Sequence, residues 1–260
     1  MKLAWITDPH LEWIDQGDLD RFLKSVARSK TEGIIISGDI SVSKHLPYHL
    51  SCLAQLPSPV YFVLGNHDFW GGSFKAVQDM VRTFVRKHRN LVWLTESDPI
   101  HLTAHTALIG QDGWSDGRAG LGEASGFFVK DFFLIRELAG LGVSQAFEVM
   151  RNIADKASLK LYKQITQTDK KQFLVVTHCP PFGEAALYRD KKASDKSLPH
   201  FSNLGMGMLL KKASEKTGAK LFILCGHTHN KATIDITNLI HVRVLGARYG
   251  HPSFSIIDIE

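Results

Sequence analysis

The stretch GIIISGD, residues 33–39, is a β-branched apolar run that ends in a glycine and an aspartate. Such a run is typical of a strand that is buried on both faces, as in a parallel sheet. Lys2–Thr7 and Val60–Leu64 repeat the pattern, and polar residues follow each of them. Between the first two strands, Asp18–Lys30 has apolar residues at helical spacing, with Asp18 as the expected N-cap. This order predicts an α/β fold around a parallel sheet with right-handed crossovers.

The rest of the chain continues the alternation of helices and strands. Helices are predicted over 73–88, over most of 127–168 with a break at Gly140 and Gly142, and over 204–216. Further strands or hairpins are predicted over 91–94, 100–110, 172–177, 220–225, 231–236, 239–245 and 253–259. Two stretches, 111–125 and 179–203, are predicted to be loops. Without repeats or a linker, we expect one domain over residues 1–260.

Composition favours a globular protein. Of the 260 residues, 44% are hydrophobic and 22% are charged, and no apolar stretch approaches the roughly 20 residues of a membrane span. The first apolar run leads directly into Asp8, so we expect no signal peptide. Three cysteines without disulfide-framework spacing indicate a reducing compartment, so we expect a cytoplasmic protein without membrane association. The net charge of +5 is weak evidence for nucleic-acid binding.

Polar clusters follow five of the predicted strands. They are Asp8-Pro9-His10, Gly38-Asp39, Gly65-Asn66-His67-Asp68, Thr177-His178 and Gly226-His227-Thr228-His229. The carboxyl ends of parallel strands meet at one edge of a sheet, so these side chains are expected to converge. We expect the residue pairs 8/10 and 227/229 to point to one side each, as alternate residues do in extended backbone.

Each cluster by itself has an ordinary interpretation. An aspartate after a strand is commonly a turn or cap residue, and His178 alone would be a hydrogen-bonded core histidine. Together, however, carboxylates and imidazoles packed at one point repel or remain poorly solvated unless a cation joins them. The combination therefore predicts a site for two metal ions. Cys179 and Cys225 flank the clusters, but buried small hydrophobes are the better interpretation, since harder O and N donors already fill the site.

The series D-x-H, G-D, G-N-H-D, H and G-H-x-H resembles the signature of calcineurin-like metallophosphoesterases. This superfamily includes Ser/Thr phosphatases, purple acid phosphatases and several phosphodiesterases. The resemblance runs from Asp8 to His229, and every signature position is present. It implies a four-layer α/β/β/α sandwich with the site above the central sheets. It also implies a phosphoric ester hydrolase that acts on phosphate mono- or diesters.

The resemblance further implies a role for each signature residue. The first metal would be held by Asp8, His10 and His229, the second by Asn66, His178 and His227, and Asp39 would bridge the two. A hydroxide between the metals would attack phosphorus, with His67 as proton donor or phosphate contact and Asp68 orienting its imidazole. Mixed imidazole and oxygen ligands suit Mn, Fe or Zn better than Ca. No other cofactor is implied.

The substrate is less well defined. The residue after Asp39 is Ile40, without the nearby tyrosine ligand that marks purple acid phosphatases. Ser/Thr phosphatases carry an arginine soon after the bridging aspartate. Here the nearest residues of that kind are Lys44 and His45, which puts a close protein-phosphatase assignment in doubt. The two predicted loops are expected to rim the site with Trp114, Asp116, Arg118, Tyr188, Arg189, His200 and Asn203. These side chains would grip a base or phosphate, or they are ordinary loop residues with Trp114 packed into the wall.

Three functions follow for consideration. The first is hydrolysis of a small phosphate ester such as a nucleotide. The second is a nuclease, which is disfavoured because the chain has no length to spare for a DNA-gripping domain. The third is an inactive metal-binding scaffold, which is disfavoured because all seven predicted ligands and His67 remain.

Overall fold

The fold is built from two β-sheets and the helices that cover them. The computed structural model describes residues 1–188 and 191–260, so Arg189 of the predicted rim lies outside the described residues. The strands are β1 Lys2–Ile6, β2 Gly33–Ser37, β3 Val60–Val63, β4 Leu91–Trp93, β5 Ile100–His101, β6 Thr106–Gln111, β7 Gln172–Thr177, β8 Leu187–Tyr188, β9 Lys191–Lys192, β10 Lys220–Cys225, β11 Ala232–Thr237, β12 Ile240–Val244 and β13 Phe254–Asp258. The α-helices are α1 Gln16–Arg28, α2 Leu46–Leu53, α3 Phe74–Lys87, α4 Asp131–Leu134, α5 Val143–Gln167, α6 Leu198–Phe201 and α7 Leu204–Thr217.

Parallel pairing dominates the centre of both sheets. The first sheet has the order β13-β1-β2-β3-β4, in which β1 to β4 are parallel and β13 is an antiparallel edge. The second has the order β11-β12-β10-β7-β6-β5, with a parallel core of four strands and antiparallel edges. In both sheets the central strands therefore end on a shared edge, as the sequence predicts.

Three apolar cores separate four layers. One core lies between the sheets and joins residues of both, including Trp5 and Ile35 of the first sheet and Val176 and Leu224 of the second. A second core packs the first sheet against α1, α2 and α3, and a third packs the other sheet against α5 and α7. This arrangement confirms the expected α/β/β/α sandwich. No helix in the described residues is long and apolar enough to cross a membrane.

Some local predictions need correction. The N-cap of α1 is Asp15, whose side chain accepts the backbone N–H of Asp18, so the helix begins before Asp18. The chain over 127–130 is not helical, although the break at the two glycines is present between α4 and α5. The predicted loop 179–203 contains the β8–β9 pairing and the short helix α6.

Candidate metal centre

The seven predicted ligands lie together at the rim between the two sheets. Asp8, His10, Asp39 and Asn66 follow strands of the first sheet, whereas His178, His227 and His229 follow strands of the second. Five of the seven side chains belong to residues that are almost fully buried, with exposed fractions of 7% or less. The fold thus gathers donors that are up to 221 positions apart in the chain, from Asp8 to His229.

The first group of donors comprises Asp8, His10, Asp39 and His229. One ligand atom from each lies within 4.8 Å of the others. The Nε2 atoms of His10 and His229 are 3.1 Å apart, and His229 Nε2 is 3.4 Å from Asp8 Oδ1. Asp39 Oδ2 lies 3.7 Å from His10 Nε2. The four residues offer a mixed oxygen and nitrogen set of the kind that transition metals prefer.

The second group comprises Asn66, His178 and His227, with Asp39 beside it. Asn66 Oδ1 lies 3.1 Å from His178 Nε2 and 3.0 Å from His227 Nδ1, and the two imidazole nitrogens are 3.2 Å apart. The other oxygen of Asp39, Oδ1, is 3.3 Å from His178 Nε2. Asp39 therefore presents one oxygen to each group, which is the position that a bridging carboxylate requires.

Hydrogen bonds on the outer side fix the donor atoms of this second group. Asn66 Nδ2 donates to Asp131 Oδ1 at 2.8 Å, so the amide oxygen faces the cluster. His178 Nδ1 and His227 Nε2 each lie 2.8 Å from a backbone carbonyl, of Ser37 and His200 respectively. A carbonyl only accepts, so those outer nitrogens carry protons, and the inner nitrogens face the cluster, where a cation or a second proton can bind them.

The spacing of these donor atoms suits a metal ion. Three acceptors 3.0–3.2 Å apart repel one another unless a positive charge lies among them. A metal with N and O bonds of about 2.1 Å in octahedral geometry places neighbouring ligands roughly 3 Å apart. The residues present therefore fit a cation.

The pKa shifts of the ionisable groups also indicate that the site favours a positive charge. Burial raises the pKa of Asp8, but the hydrogen bond with His229 and the charge on His178 outweigh burial and lower it to about 2. Burial likewise lowers the pKa of His178, but the carboxylate of Asp39 raises it to about 10. The buried carboxylates thus hold a proton on His178 where they would otherwise hold a cation.

The backbone of the rim adopts an unusual conformation. Asp8, His10, Asp39, His227 and His229 all have positive φ, between 41° and 70°. The expectation that the pairs 8/10 and 227/229 lie in extended backbone is therefore wrong, although each pair does point into one cluster. Left-handed backbone at residues other than glycine costs about 1–3 kcal/mol each, and such strain is concentrated at functional sites.

Glycines allow the backbone to approach the donors. A Cβ atom at Gly65 would lie 2.2 Å from Asp39 Oδ1, and one at Gly226 would lie 2.1 Å from Asp8 Oδ2. Any larger residue would displace a carboxylate, so both positions require glycine.

His67 faces the cleft beside the cluster. Its Nε2 atom is 3.9 Å from Asp39 Oδ2, and its ring stacks on the indole of Trp70 with the centroids 3.4 Å apart. Burial lowers the pKa of His67 to about 4. Its Nδ1 atom is buried and makes no hydrogen bond to any described residue.

Asp68 does not contact the imidazole of His67 in the way that we expected. Its Oδ1 accepts the backbone N–H of Ser41 at 2.9 Å, and its Oδ2 accepts that of Gly65 at 2.8 Å. The carboxylate thus ties the turn after β2 to the turn after β3. The hydrogen bonds of Asp68 are therefore made to backbone amides, and its role in orienting His67 stays a prediction.

A cleft with a volume of about 470 Å³ opens above the cluster. Aromatic side chains form much of its wall, and Lys130 and Asp131 stand beside them. The aromatic lining residues are Trp70, Tyr188, Phe201 and Tyr249. Tyr188 stacks on Phe201, and Tyr249 lies over the ring of His10 with the centroids 4.4 Å apart.

The predicted loop 111–125 does not line this cleft. Trp114 is 2% exposed and packs against Phe69 and Phe74, as the alternative interpretation expects. Arg118 pairs with Asp116 and with Asp155 of α5. The side chains of this loop therefore anchor it to the core instead of forming the rim of the cleft.

The second predicted loop does contribute to the site. Tyr188 and Phe201 line the cleft, and His200 supplies the carbonyl that holds His227. Asn203 instead caps α7, with its Oδ1 accepting the N–H of Met206 and its Nδ2 donating to the backbone carbonyl of Trp114.

Sequence reasoning missed Trp70, Asp131 and Tyr249. Trp70 follows the G-N-H-D cluster directly, and that adjacency was an available signal. Asp131 and Tyr249 carry no comparable signal, since both come from segments whose return to the rim depends on the tertiary fold. Cys179 and Cys225 are buried and burial raises the pKa of both thiols, which agrees with their interpretation as small hydrophobes.

Comparison with known proteins identifies the family. The model of the calcineurin-like phosphoesterase family matches residues 1–231. The chain belongs to this family. As a calcineurin-like phosphoesterase it is a phosphoric ester hydrolase of a dimetal-dependent family, and its cluster of Asp and His residues could hold metal. Among curated proteins, none matches the sequence at a significant level.

Solved structures share the fold of this calcineurin-like phosphoesterase at low identity. A dimetal phosphatase from Danio rerio aligns with a TM-score of 0.63 and 13% identity, over 98% of this chain and 91% of its own. The protein TT1561 of Thermus thermophilus aligns with a TM-score of 0.50 and 14% identity, over 94% of this chain and 88% of its own. At such identities the likeness establishes the fold alone.

Proposed function

We propose that this calcineurin-like phosphoesterase hydrolyses a small phosphate mono- or diester with two bound transition-metal ions, Mn, Fe or Zn. The proposed ligands of the first ion are Asp8, His10 and His229, those of the second are Asn66, His178 and His227, and Asp39 bridges the two. Its three cysteines are free, which supports our expectation of a reducing, cytoplasmic location.

One observation carries the proposal. The two oxygens of Asp39 face two separate groups of donors. Asp39 Oδ2 lies 3.7 Å from His10 Nε2 of the first group, and Asp39 Oδ1 lies 3.3 Å from His178 Nε2 of the second. Both groups lie at the base of the same cleft, since His229 of the first group, His227 of the second and Asp39 between them are among its lining residues. A substrate that enters the cleft would therefore meet both proposed metal positions at once.

The chain's own residues support phosphate hydrolysis at this point. When bound, the cations would activate water and neutralise charge on the phosphoryl oxygens. His67 lies beside Asp39 with Nε2 toward the cleft, so its N–H can reach a phosphoryl or leaving oxygen. Trp70 holds the plane of that ring by stacking, which restricts the direction of the donated proton.

The shape of the cleft supports a small substrate. A volume of about 470 Å³ falls in the range of small-molecule sites. Its aromatic walls suit a planar leaving group, such as the base of a nucleotide. Of the described residues that line the cleft, Lys130 is the one lysine or arginine, whereas a groove for nucleic acid requires several. A nuclease activity is therefore disfavoured.

A substrate and metal screen tests the proposal. The substrates are p-nitrophenyl phosphate, bis(p-nitrophenyl) phosphate, p-nitrophenyl phenylphosphonate and nucleoside monophosphates, each with Mn, Ni, Zn or Mg. We expect hydrolysis of at least one small ester that requires added transition metal and is abolished by chelation. Turnover confined to oligonucleotides, with a steep dependence on salt, would favour the nuclease instead. Absence of turnover in protein shown to contain two metals would contradict the hydrolase.

A further inference from the structure

Glu12 places a carboxylate behind His10, on the side away from the metal donors. It lies in the single helical turn Leu11–Trp13 that follows His10. Its Oε1 is 3.7 Å from His10 Nδ1, whereas His10 Nε2 faces His229 and Asp39. The side chain of Glu12 is only 10% exposed, and that of His10 is fully buried.

The polar atoms at this contact make no hydrogen bond to the part of the chain that the structure describes. Both carboxylate oxygens of Glu12 and the Nδ1 atom of His10 are buried and make no hydrogen bond within residues 1–188 and 191–260. A carboxylate that is buried without a hydrogen bond opposes folding. Such atoms are rare in folded proteins, and a functional role is one of the usual reasons for them.

The two histidines of the second donor group make the hydrogen bond that His10 lacks. The outer nitrogens of His178 and His227 each donate to a backbone carbonyl at 2.8 Å. His10 has no such carbonyl among the described residues, and Glu12 stands where the carbonyl would be. A separation of 3.7 Å is too long for a direct hydrogen bond, but a small rotation of the glutamate or one bridging water would close it.

We propose that Glu12 is a positioning residue for the first cation and acts through His10. Its carboxylate accepts a hydrogen bond from the Nδ1–H of His10. This hydrogen bond fixes the tautomer whose Nε2 lone pair faces the cation. A carboxylate in this place also makes the imidazole a stronger ligand than a carbonyl does. The inference rests on the proposed metal centre. It predicts a difference between the two metal positions, because a carboxylate holds His10 at the first position whereas carbonyls hold the imidazoles at the second.

A second arrangement of the same atoms must be distinguished from this one. One oxygen of Glu12 and one ring nitrogen each of His10 and His67 lie within 4.8 Å of one another. Three such donors could bind a further cation directly. In that case Glu12 would be a ligand, and the wild-type chain would bind three metals instead of two.

Calorimetric titration of the chelator-treated full chain with Mn²⁺ tests the role of Glu12. We expect two Mn²⁺ per wild-type chain, and in Glu12→Gln a loss of about 10–100-fold in affinity at one position only. Glu148→Gln, an exposed change on α5, is the matched control and should titrate like the wild type. Unchanged affinities in Glu12→Gln, equal losses at both positions, or a third Mn²⁺ that this variant loses would each overturn the proposal.

Thermal unfolding distinguishes a positioning residue from a merely structural one, because replacing the latter would change Tm equally with and without metal. Without metal, Glu12→Gln should unfold at an equal or higher temperature than the wild type, because the buried carboxylate that it replaces makes no hydrogen bond to the described residues. The rise in Tm on adding Mn²⁺ should be smaller in the variant. A parallel fall in Tm with and without metal would overturn the proposal. If Glu12→Gln does not fold, Glu12→Leu preserves the packing and makes the same comparison.

Neither measurement requires turnover. A wild-type chain that binds two Mn²⁺ but hydrolyses no ester would refute the proposed hydrolase while the comparison with Glu12→Gln still decides the role of Glu12. A wild-type chain that binds no Mn²⁺ would overturn that role as well.

Discussion

The indole of Trp70 lies against the imidazole of His67, with an angle of 25° between the rings. Trp70 Nε1 donates to Asp131 Oδ1 at 2.6 Å, and the same oxygen accepts from Asn66 Nδ2 at 2.8 Å. One buried carboxylate therefore holds a proposed metal ligand and, through the indole, the proposed proton donor. The chemistry of the cleft and the geometry of the second metal position are coupled through Asp131.

Replacing His67 tests its proposed role in catalysis. His67→Ala should lower kcat by roughly 10²–10⁴-fold, the usual contribution of a general acid. Metal content should be unchanged, since the ring is a neighbour of the cluster and not one of the seven proposed ligands. Steady-state kinetics and elemental analysis of the same preparation check both expectations.

Replacing Asp39 should have a different outcome. Asp39→Ala should lose both cations and all measurable activity, because each donor group loses an oxygen that lies 3.3–3.7 Å from its imidazole. The measurement is metal content after dialysis against a fixed concentration of free Mn²⁺. Similar metal loss in His67→Ala and Asp39→Ala would show that His67 has been assigned the wrong role.

Asp131 can be separated from Trp70 by a pair of variants. Asp131→Asn should lower the affinity for the second cation by about tenfold or more, because the amide of Asn66 is then free to turn its oxygen away. Trp70→Phe keeps the contact between Asp131 and Asn66, so it should retain metal affinity and lower only kcat. Mn²⁺ titration together with kcat at saturating metal distinguishes the two. Full metal affinity in Asp131→Asn would contradict this coupling.

Asp112 predicts a dependence of stability on pH. Burial raises the pKa of Asp112 from 3.8 to about 6, against the opposing hydrogen bonds from Leu64, Thr95 and Trp93. With the folded pKa above the unfolded one, the stabilisation is complete below pH 3.8 and is lost as the pH rises through 6. The loss relative to Asp112→Asn is about 3 kcal/mol, from roughly 1.36 kcal/mol per unit of pKa.

Urea unfolding of the metal-free chain at about pH 4 and about pH 7.5, on either side of the raised pKa, measures this effect. The difference in unfolding free energy between wild type and Asp112→Asn should shrink or reverse at the higher pH. Asp98→Asn, at an exposed position nearby in the chain, is the control and should show no such change. A pH-independent difference would show that Asp112 titrates alike in both states.

The sequence predicts the ligand cluster because a local pattern marks each ligand. Each ligand follows a buried strand, and parallel strands that share a sheet deliver their next residues to a common edge. The pairing of two sheets does not follow from the apolar runs, because one parallel sheet covered by helices on both faces would show the same continuous runs. The donor residues are therefore predicted from local patterns, whereas the four-layer sandwich is implied by the resemblance to the family.

The surroundings of the cluster depend on contacts that no local pattern records. Asp68 was expected to face His67, yet two backbone amides reach it first. Asp131 approaches Asn66 across 65 positions of the chain, and Tyr249 approaches His10 across 239. Glu12 is close to His10 in sequence, but its burial and its lack of partners among the described residues emerge only in three dimensions.

The distribution of donors over the two sheets has a mechanical consequence. On the proposed assignment, each cation binds side chains from both halves of the sandwich, with Asp8 and His10 opposite His229, and Asn66 opposite His178 and His227. Bound metal would then cross-link the halves at one end, as a disulfide would, without a covalent bond. Scarcity of the metal would not only stop turnover but also make the layers easier to pull apart, so the lifetime of the protein in the cell would follow the metal supply.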